Sequence, residues 1–297
     1  MCLARCLGSV WWWKVLIGAG VTGFALVQIF RDLFHPTESG ALSEWIGDGL
    51  FRLFRRWPSI LPSAGPLAVL IVIFSWAALL VLGFTFFYWA AFPENFNLKT
   101  VNQPAGFDNF WWCLYYSLEM LTTLGLGDIQ PIPNWLRIFS GTHTLIGFSL
   151  VTASLTWIVV LFPALSRMRT LARKASAMAE AEQKTNVPVT SPGMHEFIAV
   201  LAEDVIRTRV DLVHFPILFY FYSQDRRASL PFALTLLAGM AARGIEPDRD
   251  PLVRLSATAL GEALDALANN LGERLNLTDC SIENVLPRFS ELHRDSH

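Results

Sequence analysis

Apolar positions in the first half of the chain come in long unbroken runs. Val10–Phe30 is interrupted only by Lys14, Leu67–Phe92 carries no charge, and Ile138–Leu165 has His143 as its one titratable residue of mixed character. A helix needs about 20 mostly apolar residues to cross a bilayer core. The pattern therefore predicts three spanning helices. Trp89 near the end of the second run and Trp135 just before the third suit a membrane–water interface. Arg5 ahead of the first run also fits a signal peptide. That run is long for one, and no clean small-residue cleavage site follows, so it reads as a membrane helix.

Between the first two runs the pattern becomes amphipathic. Leu42, Trp45, Ile46, Leu50, Leu53, Phe54 and Trp57 recur at helical spacing, with Glu44, Asp48, Arg52, Arg55 and Arg56 on the other side. A helix with Trp, Phe and Leu opposite Arg can lie in the interface plane. That is the reading favoured here; the alternative is a helix packed on the protein's own tail.

After Pro163 the pattern changes again. Arg167–Lys184 alternates alanine with charge and continues as helix, then breaks at the polar linker Asn186–Gly193. His195–Val213 reads as helix. His214–Tyr222, HFPILFYFY, is too short to span and reads as core or as a surface-docking segment. Leu230–Arg243 ends against Gly244. Asp250 followed by Pro251 starts a further helix. Leu252, Leu255, Leu260, Leu264, Leu267, Leu271 and Leu275 recur along it as a core stripe, with subunit association as the alternative.

Composition sharpens this division. The 297 residues are 53% hydrophobic and 16% charged, against about 25% charged in soluble domains. That excludes a wholly soluble protein, and also a disordered one. Every tryptophan lies between Trp11 and Trp157. Residues 1–165 hold eight Lys/Arg and eight Asp/Glu; the shorter remainder holds fifteen and seventeen. The net charge of −2 gives no electrostatic footprint for nucleic acid. Cys2, Cys6, Cys113 and Cys280 have neither disulfide-framework nor zinc spacing. No nucleophile–base or metal constellation appears, so neither an enzyme nor a cofactor is expected. The tail offers no GxGxxG after a strand, no run of strands, and no helix with arginine at every third position.

Basic residues set the orientation. Arg167, Arg169, Arg173 and Lys174 follow the third run, and Arg52, Arg55 and Arg56 precede the second. The connection from Pro93 to Trp135 has only Lys99 and Arg137 lies beyond it. The tail and the 31–66 segment are expected in the cytoplasm, and the 93–135 connection outside.

That connection carries the chemistry. Asn109–Leu121, NFWWCLYYSLEML, is an apolar helix too short to span. Thr122–Asp128, TTLGLGD, follows, and Pro131, Pro133 and Trp135 turn the chain back. Irregular backbone at membrane depth is tolerated where it lines a cavity or is buried in protein. Glycines at 125 and 127 relieve the Cβ restriction, so successive carbonyls can face one axis and replace a cation's hydration shell. The short helix aims the negative end of its dipole at that path.

TTLGLGD resembles the TTVGYGD selectivity filter of potassium channels. Tyr115–Asp128 resembles the pore helix and filter of bacterial two-helix potassium channels, and Trp135 and Arg137 resemble the start of their inner helix. The resemblance covers residues 67–165. It implies an all-α membrane protein with a potassium-channel pore domain: outer helix, pore helix, filter and inner helix. To this are added an N-terminal helix and a mostly helical cytoplasmic C-terminal domain. The divisions expected are 1–36 (membrane helix), 37–66 (interfacial helix and linker), 67–165 (pore domain), 166–193 (helical extension and linker) and 194–297 (cytoplasmic domain).

The resemblance further implies that Thr123, Leu124, Gly125 and Leu126 bind K⁺, with Gly127 completing the outer mouth. Leu124 and Leu126 replace the family's Val and Tyr. Their carbonyl ligands survive, but Leu126 cannot make the Tyr hydroxyl's bracing hydrogen bond. Glu119 and Asp128 match a filter-supporting carboxylate pair that would share a proton; the plainer reading is that Glu119 hydrogen-bonds backbone. Gly147 matches the inner-helix glycine, as gating hinge or as close-packing contact. His143 is expected to face the pore helix and be satisfied by a hydrogen bond.

One pore segment cannot surround an ion, and the chain has no internal repeat of it, so a homotetramer is expected. The function expected is passive, potassium-selective conduction in the cytoplasmic (inner) membrane. K⁺ is the permeating ion and the lipid bilayer the surrounding partner. Two alternatives stand beside it: a nonselective cation channel with the same pore, motivated by Leu126, and a membrane sensor or scaffold whose tail binds a partner. The sequence names no ligand for the tail and no gating stimulus.

Overall fold

The computed structural model describes residues 11–34, 41–55, 63–98, 109–221, 223, 225–275 and 277–294. Arg5, Arg56, Trp57, Lys99 and Tyr222, which entered the sequence reading, lie outside them. The helices are α1 (Trp12–Phe34), α2 (Ala41–Arg55), α3 (Ala64–Ala91), α4 (Asn109–Leu121), α5 (Asn134–Thr185), α6 (His195–His214), α7 (Leu230–Gly244), α8 (Pro251–Arg274) and α9 (Ile282–Arg294). Two short strands, β1 (Phe96–Leu98) and β2 (Ile129–Pro131), pair antiparallel with Phe96 opposite Pro131. The architecture is all-α, and α1, α3 and α5 are long and apolar enough to cross a membrane.

The chain divides into two compact units, 1–42 with 70–158, and 43–69 with 159–297. In the first, α1 buries one face at three- and four-residue steps: Gly18, Thr22, Ala25 and Gln28. Leu16, Phe24, Val27 and Phe30 on its other face are exposed, as suits lipid. The inward face is small because α3 comes very close. A Cβ on Gly18 would sit 2.9 Å from the Gly83 carbonyl oxygen, and one on Gly83 would overlap the Thr22 hydroxyl. Small residues let membrane helices approach in this way. Lys14, the one charge in the first apolar run, places its ammonium 3.7 Å from the centre of the Trp89 ring. Trp13 meets the same ring edge-on at 5.7 Å. A desolvated cation–π contact is worth about 2 kcal/mol, which offsets part of the cost of a lysine there.

Helix α5 is 52 residues long, about 78 Å at 1.5 Å per residue. It contains Pro163, which has no N–H for the carbonyl four residues earlier. Membrane helices tolerate this where neighbouring groups re-satisfy the backbone. Leu136, Ser140, His143, Gly147, Leu150, Ser154 and Trp157 form its buried stripe in the first unit.

The second unit is built around α8, which packs on α6, α7 and α9. Asp250 caps α8 by accepting from the N–H groups of Leu252 (2.9 Å) and Val253 (3.4 Å). The inward stripe is Val253, Ala257, Leu260, Leu264, Leu267 and Leu271. Leu252 and Leu255, expected in that stripe, point outward instead. The stripe starts one residue later than the leucines suggest, because the small inward positions are filled by Val253 and Ala257.

The end of α5 belongs to this unit. Arg167 binds Asp211 of α6 through two hydrogen bonds of 2.8 and 2.7 Å, and Lys174 binds Asp204 at 2.7 Å. The seven-residue steps, rising on α5 and falling on α6, mark antiparallel neighbours. Met168, Leu171, Ala172 and Ala175 are buried beneath these pairs.

Helix α2 uses the alternative weighed for it. Ser43, Ile46 and Gly47 are buried, and the Tyr220 ring covers Gly47. Trp45 and Leu53 are exposed, so only its outer face remains for a membrane surface. The apolar 214–222 segment supplies the partner. Its residues Pro216–Tyr220 form a short 3₁₀ helix with Ile217, Leu218, Phe219 and Tyr220 buried, so residues 217–220 are core.

Candidate functional site

The candidate site is the turn between α4 and β2. Helix α4 is wedged between two longer helices by hydroxyl groups. Ser117 donates to the Val81 carbonyl of α3 (2.8 Å), and Tyr116 to Ser140 of α5 (2.9 Å). At its C-terminus the last carbonyls are taken up by one tight and one wide turn: Thr123 N–H donates to the Met120 carbonyl and Leu124 N–H to the Glu119 carbonyl. The chain then leaves as extended backbone, not helix.

Its conformation is specific. Thr123, Gly125 and Gly127 have φ of 60°, 59° and 76°, so left-handed residues alternate with Leu124 and Leu126. Glycine adopts this region freely; Thr123 is a non-glycine residue held there, which is rare and marks an over-determined site. Alternating hand along a strand turns successive carbonyls towards the same side. In the single chain Leu124 and Leu126 are 63% and 59% exposed, so neither side chain is buried.

The carboxylates hold the C-terminal end of this segment. Glu119, 3% exposed, accepts the Gly127 N–H at 3.1 Å. Asp128 accepts the Tyr115 hydroxyl at 3.0 Å and the Ile129 N–H at 2.9 Å. Gln130 donates its amide to the Gly127 carbonyl at 3.1 Å. Glu119 thus takes the backbone partner weighed for it; among the described residues no hydrogen bond joins the two carboxyl groups. Its other oxygen, Oε2, is buried without a partner. The β1–β2 pair and the Ile132 N–H to Asn95 carbonyl bond (2.9 Å) anchor the return to α5.

Tyr115 and Gln130 were missed by sequence reading. For Tyr115 a signal existed: it stands one helical turn before Glu119, on the same face of α4. Gln130 had none, since its role depends on the turn made by Asp128 and Ile129.

Gly147 lies directly against the end of α4, where a Cβ would overlap the Leu121 carbonyl. Helix α5 continues through it. His143 is fully buried, and among the described residues its hydrogen bond and ring stacking are with α3, where the sequence suggests α4. Its ring stacks on Phe84 at 3.7 Å and 5°, and Nδ1 pairs with the Tyr88 hydroxyl at 3.1 Å. The outward face of α5 carries Thr142, Ser149, Thr152 and Thr156, all exposed, each bonded to the carbonyl four residues back. The described residues contain no cluster of His, Cys, Asp or Glu able to hold a metal ion.

Residues 68–162 match the ion channel family model Ion_trans_2. The matched stretch, about a third of the chain, runs from the start of α3 to the middle of α5 and contains the whole candidate site. Over that stretch the chain is similar to ion channels of this family. Across a longer stretch of 228 residues the chain is 22% identical to the "Uncharacterized membrane protein YdjJ" of Bacillus subtilis (strain 168). The alignment takes in 75% of this chain and 65% of the relative, so the chain spans just under two thirds of that protein's length. No solved structure matches the chain.

Proposed function

We propose that the chain is one subunit of a homotetrameric, potassium-selective channel of the cytoplasmic membrane, conducting passively, with the C-terminal unit in the cytoplasm. The observation that carries this reading is the alternation of left-handed backbone at Thr123, Gly125 and Gly127, directly after a short apolar helix. It supports a column of carbonyls from Thr123, Leu124, Gly125 and Leu126, with the Thr123 hydroxyl beneath, that exchanges with the hydration shell of a bare cation. The negative end of the α4 dipole adds to the field there. Gly127 forms the outer mouth, held by Glu119. The hydroxyl face of α5 supports a wetted inner cavity on the axis. Gly147 stays available as a bending point, although the Leu121 carbonyl packed on it accounts for the glycine by itself.

Leu126 favours a second reading, a cation channel with weak discrimination between K⁺ and Na⁺. With no hydroxyl and 59% exposure, it holds the filter less firmly than a hydrogen-bonded side chain. Bi-ionic reversal potentials decide between them. Purified protein in a planar bilayer, with K⁺ on one side and Na⁺ on the other, is expected to reverse near the K⁺ equilibrium value. Gly125→Ala, which forces a Cβ into left-handed backbone, is expected to abolish the current. A reversal near zero that is still lost in Gly125→Ala would establish the nonselective pore. Specific capture of a protein by the tail, with filter variants leaving cells unaffected, would favour the sensor or scaffold.

A further inference from the structure

Three consecutive aromatic residues after α6 face three different elements. Phe219 packs on Phe289 of α9 with ring centres 5.5 Å apart, and the Arg274 guanidinium at the end of α8 lies 5.7 Å from its ring. Arg274 also donates to the Pro216 carbonyl, at the start of the same 3₁₀ helix. Tyr220, 5% exposed, donates its hydroxyl to Asp48 of α2 at 2.7 Å. Its ring occupies the space that a side chain on Gly47 would need. Phe221, 8% exposed, lies over Gly65, where a Cβ would come within 2.6 Å of its ring. Gly65 is in the first turn of α3.

The placement is mechanical. A 3₁₀ helix of five residues has few internal bonds, so its position follows its neighbours. One neighbour set is the C-terminal half of the tail, α8 and α9. The other is α2 and the start of α3. Helix α3 then continues unbroken into the unit that holds the candidate filter. Two glycines leave the aromatic rings no free play: a displacement of Tyr220 or Phe221 meets backbone directly, and packed contacts transmit displacement because they deform little.

We propose that residues 216–221 form a latch through which the tail helices α8 and α9 set the position of α2 and the first turn of α3, and by that the open–closed equilibrium of the pore. The gating half of this inference rests on the channel reading above; the latch itself does not. A change in α8 or α9, from whatever the tail binds, moves Phe219 and with it Tyr220 and Phe221. The first turn of α3 is not among the groups that hold the filter, Tyr115, Glu119 and Asp128, so conductance per open channel stays the same while the time spent open changes.

The test is a double-mutant cycle with full-length protein in lipid nanodiscs and planar bilayers. Tyr220→Phe keeps the ring on Gly47 and removes only the hydroxyl, and Asp48→Asn weakens the acceptor. Each single variant is expected to change the open–closed ratio about fivefold, the equivalent of one hydrogen bond, with unitary conductance and reversal potential unchanged. The double variant is expected to add little to either single change, because the two residues share one interaction. Hydrogen exchange in the same variants is expected to speed up in α2 and the first turns of α3, but not in α4. Unchanged exchange in α2 and α3 would overturn the latch. Faster exchange with unchanged gating in conducting protein would overturn its coupling to the pore. Wild-type protein without current under any condition would sink the channel reading, while the exchange data would still decide the latch.

Discussion

Glu119 and Asp128 are two carboxylates nine residues apart, and the sequence invites a pair. The fold gives each a separate donor: the Gly127 N–H for Glu119 and the Tyr115 hydroxyl for Asp128. Each bond fixes one side of the residue pair at the outer end of the candidate filter. A hydrogen bond to a charged group is worth about 1.5–3 kcal/mol. On the channel reading proposed above, Tyr115→Phe is therefore expected to leave assembly and selectivity unchanged, but to shorten the conducting state by tenfold or more. Macroscopic current decay after activation measures this. Decay identical to the parent protein would show that the hydroxyl does not support the filter.

Between elements, the decisive feature is how closely helices meet. Gly147 brings α5 against the last turn of α4, and Gly18, Thr22 and Gly83 bring α1 against α3. Both contacts replace side chains with backbone. Overpacking such a contact costs about 1–3 kcal/mol. Gly147→Ala is expected to push α5 off the Leu121 carbonyl and lower the thermal stability of the detergent-purified assembly by several degrees. A melting temperature equal to the parent's would mean that α4 can retreat, and that the glycine serves bending instead. Helix α2 teaches the same lesson from another side. Its amphipathic pattern announced two faces, but not which of them meets the Tyr220 ring.

At the scale of the whole molecule, one chain presents one strand of carbonyls with Leu124 and Leu126 uncovered beside it. A conducting filter needs several such strands around one axis, and closed cyclic symmetry is the usual way to supply them. Four copies are the expected assembly. Native mass spectrometry from detergent, or counting of bleaching steps in single liposomes, is expected to return four subunits. A dominant monomer or dimer that still conducts would contradict the proposed filter. The long α5 then has a second consequence. In each chain the end of α5 is clamped to α6 by Arg167–Asp211 and Lys174–Asp204, so a tetramer would carry four such clamps.

The sequence by itself determined the membrane helices, the short apolar helix, the glycine-rich turn after it and the helical tail. Each is a local property: run length against bilayer thickness, glycine against backbone strain, an Asp–Pro start against unsatisfied N–H groups. It also placed the candidate filter residues on one continuous stretch, since their chemistry is that of the backbone. Only the tertiary structure decided the partners of polar side chains: His143 with Tyr88, Tyr115 with Asp128, Tyr220 with Asp48 across 172 positions of sequence. It decided as well that residues 217–221 are core and that Leu252 and Leu255 are surface. An apolar or polar pattern records how much of a face is buried. It does not record against what, because the same pattern is satisfied by lipid, by a neighbouring subunit or by the chain's own distant segment.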